Sequence, residues 1–385
     1  MTRSGMPLIA LLLLALVVTA CGDQAPSGEP SQDVTESTPA GASSAPEESA
    51  AASEAPQQPS EGRLALVQER GQLICGVNGE LPGFSVVGDD GEMQGFDADF
   101  CRAVAAAVLG DATAVEFRTL STDQRGPALQ TGEVDMLARN TTWTVSRDTS
   151  WGLFAPTTFY DGQAVMVRAD VGAATFADLD GATICVQSGT TTELNLADAE
   201  RKAGIDIQED VYAEIDPTYQ AYEEGACDGV TSDRSQLVAR RTEFANPDEH
   251  VILDEVLSKE PLGPVVPLGD DQWFNVVKWV VFATIQAEEL EITQANVADI
   301  AGSTEDPIVQ RLLGVPFAPA EGEPVAPFES GLGLDPEWVV TVISAVGNYG
   351  EIFDRNLGPG TPFDLERGQN ALWSDGGLLY APPYR

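Results

Sequence analysis

A repeated order of short apolar runs and amphipathic stretches is the feature that most constrains the fold. The first unit begins with LICGV at 73–77, passes through GFDADFCRAVAAAVLG, AVEFR and ALQTG, and ends with VDMLAR at 134–139. The second begins with TICVQSGTTTE at 183–193, passes through EDVYAEI and ends with GACDGVTSD at 225–233. Strand, helix, strand, helix, strand is typical of an α/β fold with mostly parallel sheets. The sequence therefore predicts two similar lobes, with Asp97 as the N-cap of the first helix in the first unit.

The loops that follow these strands are polar, and they indicate where a ligand would bind. In open parallel sheets, ligands lie beyond the carboxyl ends of the strands, where the strand order reverses. Those ends carry NGELPGF and RNTTWTVSR in the first lobe, and QSGTTTE and TSD in the second. We therefore expect these loops to face a pocket.

The charge balance restricts the possible partners. The chain has 385 residues, and its 20 Lys+Arg against 61 Asp+Glu give a formal net charge of −41. A field of this sign repels nucleic acid and anionic lipid headgroups, so neither is an expected partner. The sequence contains one histidine, His250, and no CxxC pair. It therefore lacks the ligands of a typical zinc site and offers little for a histidine-dependent catalytic triad. We expect no metal and no cofactor.

The N-terminal segment has the features of an export signal. Its apolar run LIALLLLALVV is shorter than the roughly 20 residues that a spanning helix needs. The small residues of VTAC directly before Cys21 resemble the lipobox of bacterial lipoproteins; the alternative is an ordinary signal peptide with a chance cysteine. Residues 1–21 are thus predicted to be a lipoprotein signal peptide. Residues 22–62 are rich in Ser, Pro, Ala, Gly and Glu and are predicted to be a disordered tether.

Four further cysteines suit an exported chain. Cys75, Cys101, Cys185 and Cys227 are an even number that allows three pairings. If the first strand of each unit lies between the second and third, Cys185 and Cys227 are on neighbouring strands, and Cys75 lies under the helix that carries Cys101. We therefore expect the disulfides Cys75–Cys101 and Cys185–Cys227, one in each lobe.

The polar loops offer groups for both signs of charge. The helix that opens with GTTTE presents free backbone N–H groups to an anion, and the alternative is plain capping by Thr190 or Thr191. Arg147 could hold a carboxylate with two parallel bonds, or pair with the adjacent aspartate. Asp233 could accept an ammonium group, or cap the helix RSQLVARR. Together they predict a site for a zwitterion.

The stretch GFDADF resembles the G-F-D-x-D signature of the family 3 solute-binding proteins of ATP-driven importers. The resemblance runs from Leu64 to the C-terminus, and NTTWT, DGQ, CVQSGTTTELN, KEPLGP, DDQWF, GNYGE and YAPP are similar to the branch that serves general L-amino-acid transporters. It implies a two-lobed, periplasmic-binding-protein-like (type II) clamp that the chain crosses twice. Lobe 1 would comprise 63–161 and 258–385, and lobe 2 would comprise 162–257.

The resemblance also implies one set of residues for each end of an amino acid. The α-carboxylate set is Arg147, Thr142, Asn140, Ser188, Thr190 and Thr191. Asp233 matches the acidic position that takes the α-ammonium. Arg125 matches the position that meets a side-chain carboxylate in relatives that prefer glutamate and aspartate. Leu81, Arg139 and Trp143 depart from the residues of other relatives and leave the side-chain preference open.

The C-terminal segment exceeds what the clamp needs. Asp335 and Pro336 should start a helix that stops at Gly347. Trp338, Val342 and Val346 recur at helical spacing, which is typical of core packing. We predict a helical extension on lobe 1.

The resemblance therefore implies an extracytoplasmic lipoprotein, expected to be a monomer, that delivers L-amino acids to an ABC import permease. It would reach the membrane only through its lipid anchor, and ATP hydrolysis would belong to another chain because no GxxxxGK[ST] loop is present. The alternative is a cyclohexadienyl-dehydratase-like lyase, which needs a general acid. Glu80 or Glu193 could take that role.

Overall fold

The computed structural model describes residues 62–317 and 325–385. The predicted signal peptide, Cys21 and all of the predicted tether except Gly62 lie outside the described residues. The helices are α1 (Arg63–Arg70), α2 (Phe96–Leu109), α3 (Arg125–Thr131), α4 (Val145–Ser150), α5 (Thr191–Ala203), α6 (Ile215–Glu223), α7 (Arg234–Arg241), α8 (Asp271–Glu289), α9 (Val297–Ser303), α10 (Pro307–Leu313), α11 (Trp338–Val346) and α12 (Tyr349–Asn356). Short 3-10 turns span Ala169–Val171, Phe176–Leu179, Pro247–Glu249, Gly368–Asn370 and Trp373–Asp375.

The strands follow the predicted order, with additional short strands between them. They are β1 (Leu73–Val77), β2 (Glu80–Leu81), β3 (Ser85–Val87), β4 (Met93–Gln94), β5 (Val115–Thr119), β6 (Met136–Leu137), β7 (Gly152–Phe154), β8 (Phe159–Arg168), β9 (Thr183–Gln187), β10 (Gln208–Tyr212), β11 (Gly229–Asp233), β12 (His250–Ile252), β13 (Lys259–Leu262) and β14 (Val265–Pro267). Strands β2, β3 and β4 form a small antiparallel sheet of their own.

Each lobe is built on one mixed sheet. In lobe 1 the order is β5-β1-β6-β14-β7, and in lobe 2 the main order is β10-β9-β11-β8-β12. The predicted three-strand unit of each lobe is parallel and has its first strand in the centre. Antiparallel strands extend each of these parallel units. They are β14 and β7 in lobe 1, and β8 and β12 in lobe 2. The two-lobed α/β clamp is confirmed.

The start of α2 differs from the prediction. Gly95 precedes the helix with φ at 126°, and a Cβ there would lie 2.3 Å from the carbonyl oxygen of Phe84. Because the chain fits so closely only with glycine at this point, the helix begins at Phe96 and Gly95 is its N-cap residue. The prediction that Asp97 caps this helix is wrong, and its buried carboxylate is available for another contact.

The two lobes are joined where the long strand β8 pairs with the short strand β13. β8 pairs at its start with β13, with Phe159 opposite Leu262 and Gly162 opposite Lys259, and farther along with β11 and β12 of lobe 2. The predicted lobe boundaries at 161/162 and 257/258 lie within or beside this pair. Both crossings therefore run side by side next to the polar loops.

The C-terminal extension packs on lobe 1. Helix α11 contacts α2, and its residues Trp338, Val342 and Val346 are buried in the same core as β1 and α8. The helix starts later than predicted, although Asp335 Oδ1 still accepts a hydrogen bond from the backbone N–H of Glu337 at 2.9 Å. The predicted helical extension is present.

Both predicted disulfides are present, Cys75–Cys101 in lobe 1 and Cys185–Cys227 in lobe 2. Cys75 lies on β1 beneath α2, and Cys227 lies two residues before β11, which neighbours β9. Among the described helices, none is both long and apolar enough to span a membrane.

Candidate functional site

A polar cavity lies between the lobes, at the ends of the strands where it was predicted. The enclosed volume is about 40 Å³, and about 410 Å³ is free of protein atoms when space open to solvent is included. The residues that line it are Asn78, Thr122, Arg125, Arg139, Asn140, Thr142, Arg147, Gln187, Thr190, Thr191, Thr192, Ser232, Asp233 and Gln236. They follow β1, β5 and β6 in lobe 1 and β9 and β11 in lobe 2, so both lobes contribute.

Arg147 lies in the first turn of α4 and is buried in the cavity wall. Its Nη1 donates to the carbonyl oxygen of Thr142 at 3.1 Å, and its backbone N–H donates to Thr144 Oγ1. The alternative pairing with Asp148 does not occur, and Asp148 Oδ1 accepts the backbone N–H of Phe154 at 3.2 Å. No other hydrogen bond links the Arg147 guanidinium to the described residues, so donors remain for an anion.

Two more arginines line the same cavity. Arg125 Nε donates to the carbonyl oxygen of Thr122 at 2.9 Å, and Arg139 Nε donates to that of Leu120 at 2.8 Å. Burial lowers the pKa of Arg139 to about 10. Burial, followed by repulsion from Arg139 and Arg147, lowers the pKa of Arg125 well below its ordinary value. A ligand anion would relieve this crowding of positive charge.

Asp233 supplies the opposite charge. It ends β11 and precedes α7, but its side chain makes no capping hydrogen bond, so the capping alternative does not hold. The residue is 6% exposed, and its carboxylate accepts no hydrogen bond from the described residues. Burial and the nearby carboxylates of Asp161 and Glu260 raise its pKa well above the ordinary value, while Arg147 and Arg125 lower it. A cation in the cavity would stabilise the ionised form.

The strand pairing explains why carboxylates surround Asp233. Asp161 on β8 lies directly opposite Glu260 on β13. Asp161 Oδ2 accepts the backbone N–H of Ser235 at 3.2 Å, and burial raises the Asp161 pKa to about 6. Glu260 is almost fully buried and accepts hydrogen bonds from Thr191 Oγ1 and Ser258 Oγ. The acidic side of the site therefore rests on the strands that join the lobes.

The lobe 2 turn places some of its predicted residues in the cavity. Thr190 is the N-cap of α5, since its Oγ1 accepts the backbone N–H of Glu193 at 3.1 Å, and it also lines the cavity with Thr191. Ser188 does not line the cavity, and its backbone N–H donates to the carbonyl oxygen of Tyr212 at 2.8 Å. The contact predicted between Ser188 and a ligand stays a prediction.

Hydrogen bonds cross directly from one lobe to the other. Asn140 Nδ2 donates to Gln236 Oε1 at 3.3 Å, and the hydroxyls of Thr142 and Thr191 are 3.4 Å apart. Asn140 has a left-handed φ of 32°, and its backbone N–H donates to Asp97 Oδ2 at 2.7 Å. The lobes therefore meet around the cavity, and Asp97 holds the strained loop in place.

Several lining residues were missed by sequence reasoning. Asn78 directly follows β1 and opens the NGELPGF loop that was expected to face the pocket, but it was not named as a ligand contact. Gln236 lies inside α7, where a buried glutamine has no local signature. Arg139 opens the RNTTWTVSR loop that was expected to face the pocket, but it was not assigned a contact with the ligand; its buried side chain lies in the cavity wall.

One cluster of potential metal ligands occurs in the described ranges, Cys185, Asp210 and Cys227. It carries no metal chemistry in this structure, because the two sulfur atoms are joined in a disulfide.

Comparison with known proteins agrees with this geometry. The sequence profile described as "Bacterial extracellular solute-binding proteins, family 3" matches residues 73–297. The general L-amino acid-binding periplasmic protein AapJ of Rhizobium johnstonii is 48% identical over 323 residues, covering 84% of this chain and 92% of the relative. The glutamate/glutamine/aspartate/asparagine-binding protein BztA of Rhodobacter capsulatus is 47% identical over 320 residues, covering 83% of this chain and 92% of the relative.

A solved structure has the same overall fold. It is described as an ABC transporter/periplasmic binding protein from Brucella ovis with glutathione bound, and it is 48% identical with a TM-score of 0.80. The match covers 84% of this chain and 100% of the other. These three relatives are named as binding proteins, and none is named as an enzyme.

Proposed function

Because the chain belongs to family 3 of the bacterial extracellular solute-binding proteins, we propose that it binds an L-α-amino acid in the cavity between its lobes. The observation that carries the proposal is the presence of unpaired opposite charges. Arg147 and Asp233 are both buried in the cavity wall, and neither belongs to any ion pair among the described residues. A buried charge is costly unless it finds a partner, and a zwitterion supplies both partners.

The α-carboxylate is proposed to bind where the two lobes meet. Arg147 and Thr142 would contact it from lobe 1, together with the loop at Asn140. Thr190 and Thr191 would contact it from lobe 2, at the N-terminus of α5. Ser188 is left out of this proposal because it lies outside the cavity wall.

The α-ammonium is proposed to bind Asp233. The carboxylate is free of other hydrogen bonds within the described part of the chain, and α7 does not use it as a cap. Because Arg147 and Asp233 belong to different lobes, the ligand would favour the closed arrangement of the lobes over an open one.

The side chain is proposed to be acidic or an amide. Arg125 and Arg139 line the cavity in addition to Arg147, and Asp233 is the only acidic residue in that lining. A second carboxylate would balance the excess positive charge, and an amide oxygen would accept hydrogen bonds from the same groups.

We further propose that the protein is a monomeric lipoprotein that hands its ligand to an ABC import permease. The support is the lipobox-like VTAC before Cys21 and the tether-like composition that follows it. A membrane anchor at Cys21 would keep the clamp close to the permease. Mass spectrometry of the mature N-terminus tests the anchor: an unmodified Cys21 would contradict it.

A thermal-shift screen of the full chain against the twenty common L-amino acids tests the binding proposal first. A ligand that binds only the folded state raises the melting temperature, and we expect L-glutamate, L-aspartate or their amides to give the largest increase. Calorimetry should then show that Arg147→Ala loses at least two orders of magnitude in affinity, since it leaves a buried charge unpaired.

The matched control is Arg201→Ala on α5, whose side chain is 74% exposed. It should bind like the parent. Equal binding by the Arg147 and Arg201 variants would show that the carboxylate lies elsewhere.

The lyase alternative finds no support in the position of its general-acid candidates. Glu80 is exposed, and neither Glu80 nor Glu193 lines the cavity. Incubation with prephenate or arogenate checks this directly, and we expect no turnover.

A further inference from the structure

Trp151 lies behind the cavity wall, against two of its arginines. It directly follows α4, and its backbone N–H donates to the carbonyl oxygen of Arg147 at 2.8 Å. The Cζ atom of Arg147 is 5.0 Å from the centroid of the Trp151 ring, and that of Arg125 is 5.4 Å from it. Trp151 does not itself line the cavity. It lines an adjoining cleft together with Arg147, Thr190 and Thr191, and so contacts the binding groups from outside the cavity.

The guanidiniums of Arg125 and Arg147 repel each other, so an attractive contact is needed to hold them close together. Both are buried, and their like charges repel each other, which contributes to the lowered pKa of Arg125. Within the part of the chain that the structure describes, the guanidinium of each makes a single hydrogen bond, Arg125 to the carbonyl oxygen of Thr122 and Arg147 to that of Thr142. An indole ring attracts cations through its negative face. Trp151 supplies that attraction to both arginines at once and uses none of their remaining N–H groups.

The backbone beside Trp151 is shaped to admit the ring. Gly126 follows Arg125 in α3, and a Cβ at this position would lie 2.8 Å from Trp151 Nε1 and 2.9 Å from Cδ1. Any larger residue would push the ring away from α3. The glycine thus permits the close approach that puts one ring within reach of both arginines.

We propose that Trp151 is a positioning residue that holds Arg125 and Arg147 in place for a ligand with two carboxylates. The inference rests on the proposed function and extends it. Arg147 would meet the α-carboxylate and Arg125 the side-chain carboxylate. Loss of the ring would therefore weaken binding of an acidic amino acid through both arginines, and binding of a neutral one through Arg147 alone.

The test compares Trp151→Leu and Trp151→Phe in the full chain, with L-glutamate and L-alanine as probes in calorimetry. Trp151→Leu should weaken L-glutamate binding by about tenfold or more, equivalent to about 1.4 kcal/mol. It should also lower the ratio of glutamate to alanine affinity. Trp151→Phe keeps an aromatic face and should recover part of the loss. Trp373→Leu, at an exposed tryptophan outside the cavity wall, is the matched control and should bind like the parent.

Tryptophan fluorescence provides a second, independent measurement. L-glutamate should change the emission of the parent, and most of that change should disappear in Trp151→Phe. If the leucine variant does not fold, as judged by circular dichroism, the phenylalanine variant and its fluorescence decide the question.

Three results would overturn the inference: parent-like glutamate affinity in a folded Trp151→Leu, equal losses in the leucine and phenylalanine variants, or an unchanged fluorescence response in Trp151→Phe. Failure of the parent to bind any common L-amino acid would instead refute the proposed function.

Discussion

Replacing Asp233 by asparagine should separate the binding role of this carboxylate from its effect on stability. The substitution keeps the shape of the side chain and removes its charge. Asp233 is buried, its carboxylate makes no hydrogen bond within the described ranges, and it is the acidic member of the cavity lining. The ligand ammonium would thus lose its only charged partner there.

The expected loss of affinity is large. Removing one partner of a buried ion pair costs about 3–5 kcal/mol. At about 1.4 kcal/mol for each factor of ten, the dissociation constant for L-glutamate should rise by about two to four orders of magnitude. Calorimetry on the parent and the Asp233→Asn variant measures this change directly.

The effect on the ligand-free protein should have the opposite sign or be absent. The Asp233 pKa is raised mainly by burial, so folding stability linked to this group is present below the ordinary pKa and is lost as the pH rises through the raised value. At neutral pH the asparagine removes that destabilisation, so the melting temperature should not fall. In the parent, L-glutamate affinity should fall as the pH is lowered, because binding needs the ionised carboxylate.

The control is Asp254→Asn, at a fully exposed aspartate of lobe 2. It should change neither affinity nor its pH dependence. If Asp233→Asn binds L-glutamate within a factor of three of the parent, about 0.7 kcal/mol, the ammonium does not bind Asp233 and the reasoning from buried charge is refuted.

Three further outcomes follow from the same structure. Burial raises the pKa of Asp97 from 3.8 to about 7, so the free energy of unfolding of the parent should decrease as the pH rises between these two values. Asp97→Asn removes the titrating group and should make this decrease smaller, as measured by chemical denaturation. Gln236→Leu removes the cross-lobe bond to Asn140 and should weaken L-glutamate binding by about fivefold in calorimetry, the value of one hydrogen bond; unchanged affinity would contradict a role in closure. Replacing Cys185 and Cys227 by alanine should reduce the free energy of unfolding by about 2–4 kcal/mol. A change below about 0.5 kcal/mol, which is the size of the effect of an ordinary surface substitution, would show that the disulfide does not stabilise lobe 2.

The lobes and their disulfides could be predicted because local patterns specify them. Apolar runs and the helices between them set the strand order, and that order places Cys75 under Cys101 and Cys185 near Cys227. The polar loops could be predicted for the same reason, since they follow the carboxyl ends of parallel strands.

The rest of the site depends on contacts that are distant in sequence. Asp161 and Glu260 gather near Asp233 because β8 pairs with both β11 and β13, and no local pattern shows those registers. Asp97 was misassigned because an aspartate near a helix start favours capping, whereas the tight approach of Gly95 to Phe84 moves the start of the helix.

Titration of the full chain with L-glutamate, glutarate and 4-aminobutyrate tests the central claim most directly. Glutarate lacks the α-ammonium that Asp233 should bind, and 4-aminobutyrate lacks the α-carboxylate that Arg147 should bind. We predict that L-glutamate binds and that each analogue binds at least a hundredfold more weakly, about 2.7 kcal/mol. If either analogue binds as tightly as L-glutamate, the cavity does not recognise both ends of a zwitterion, and the account is contradicted.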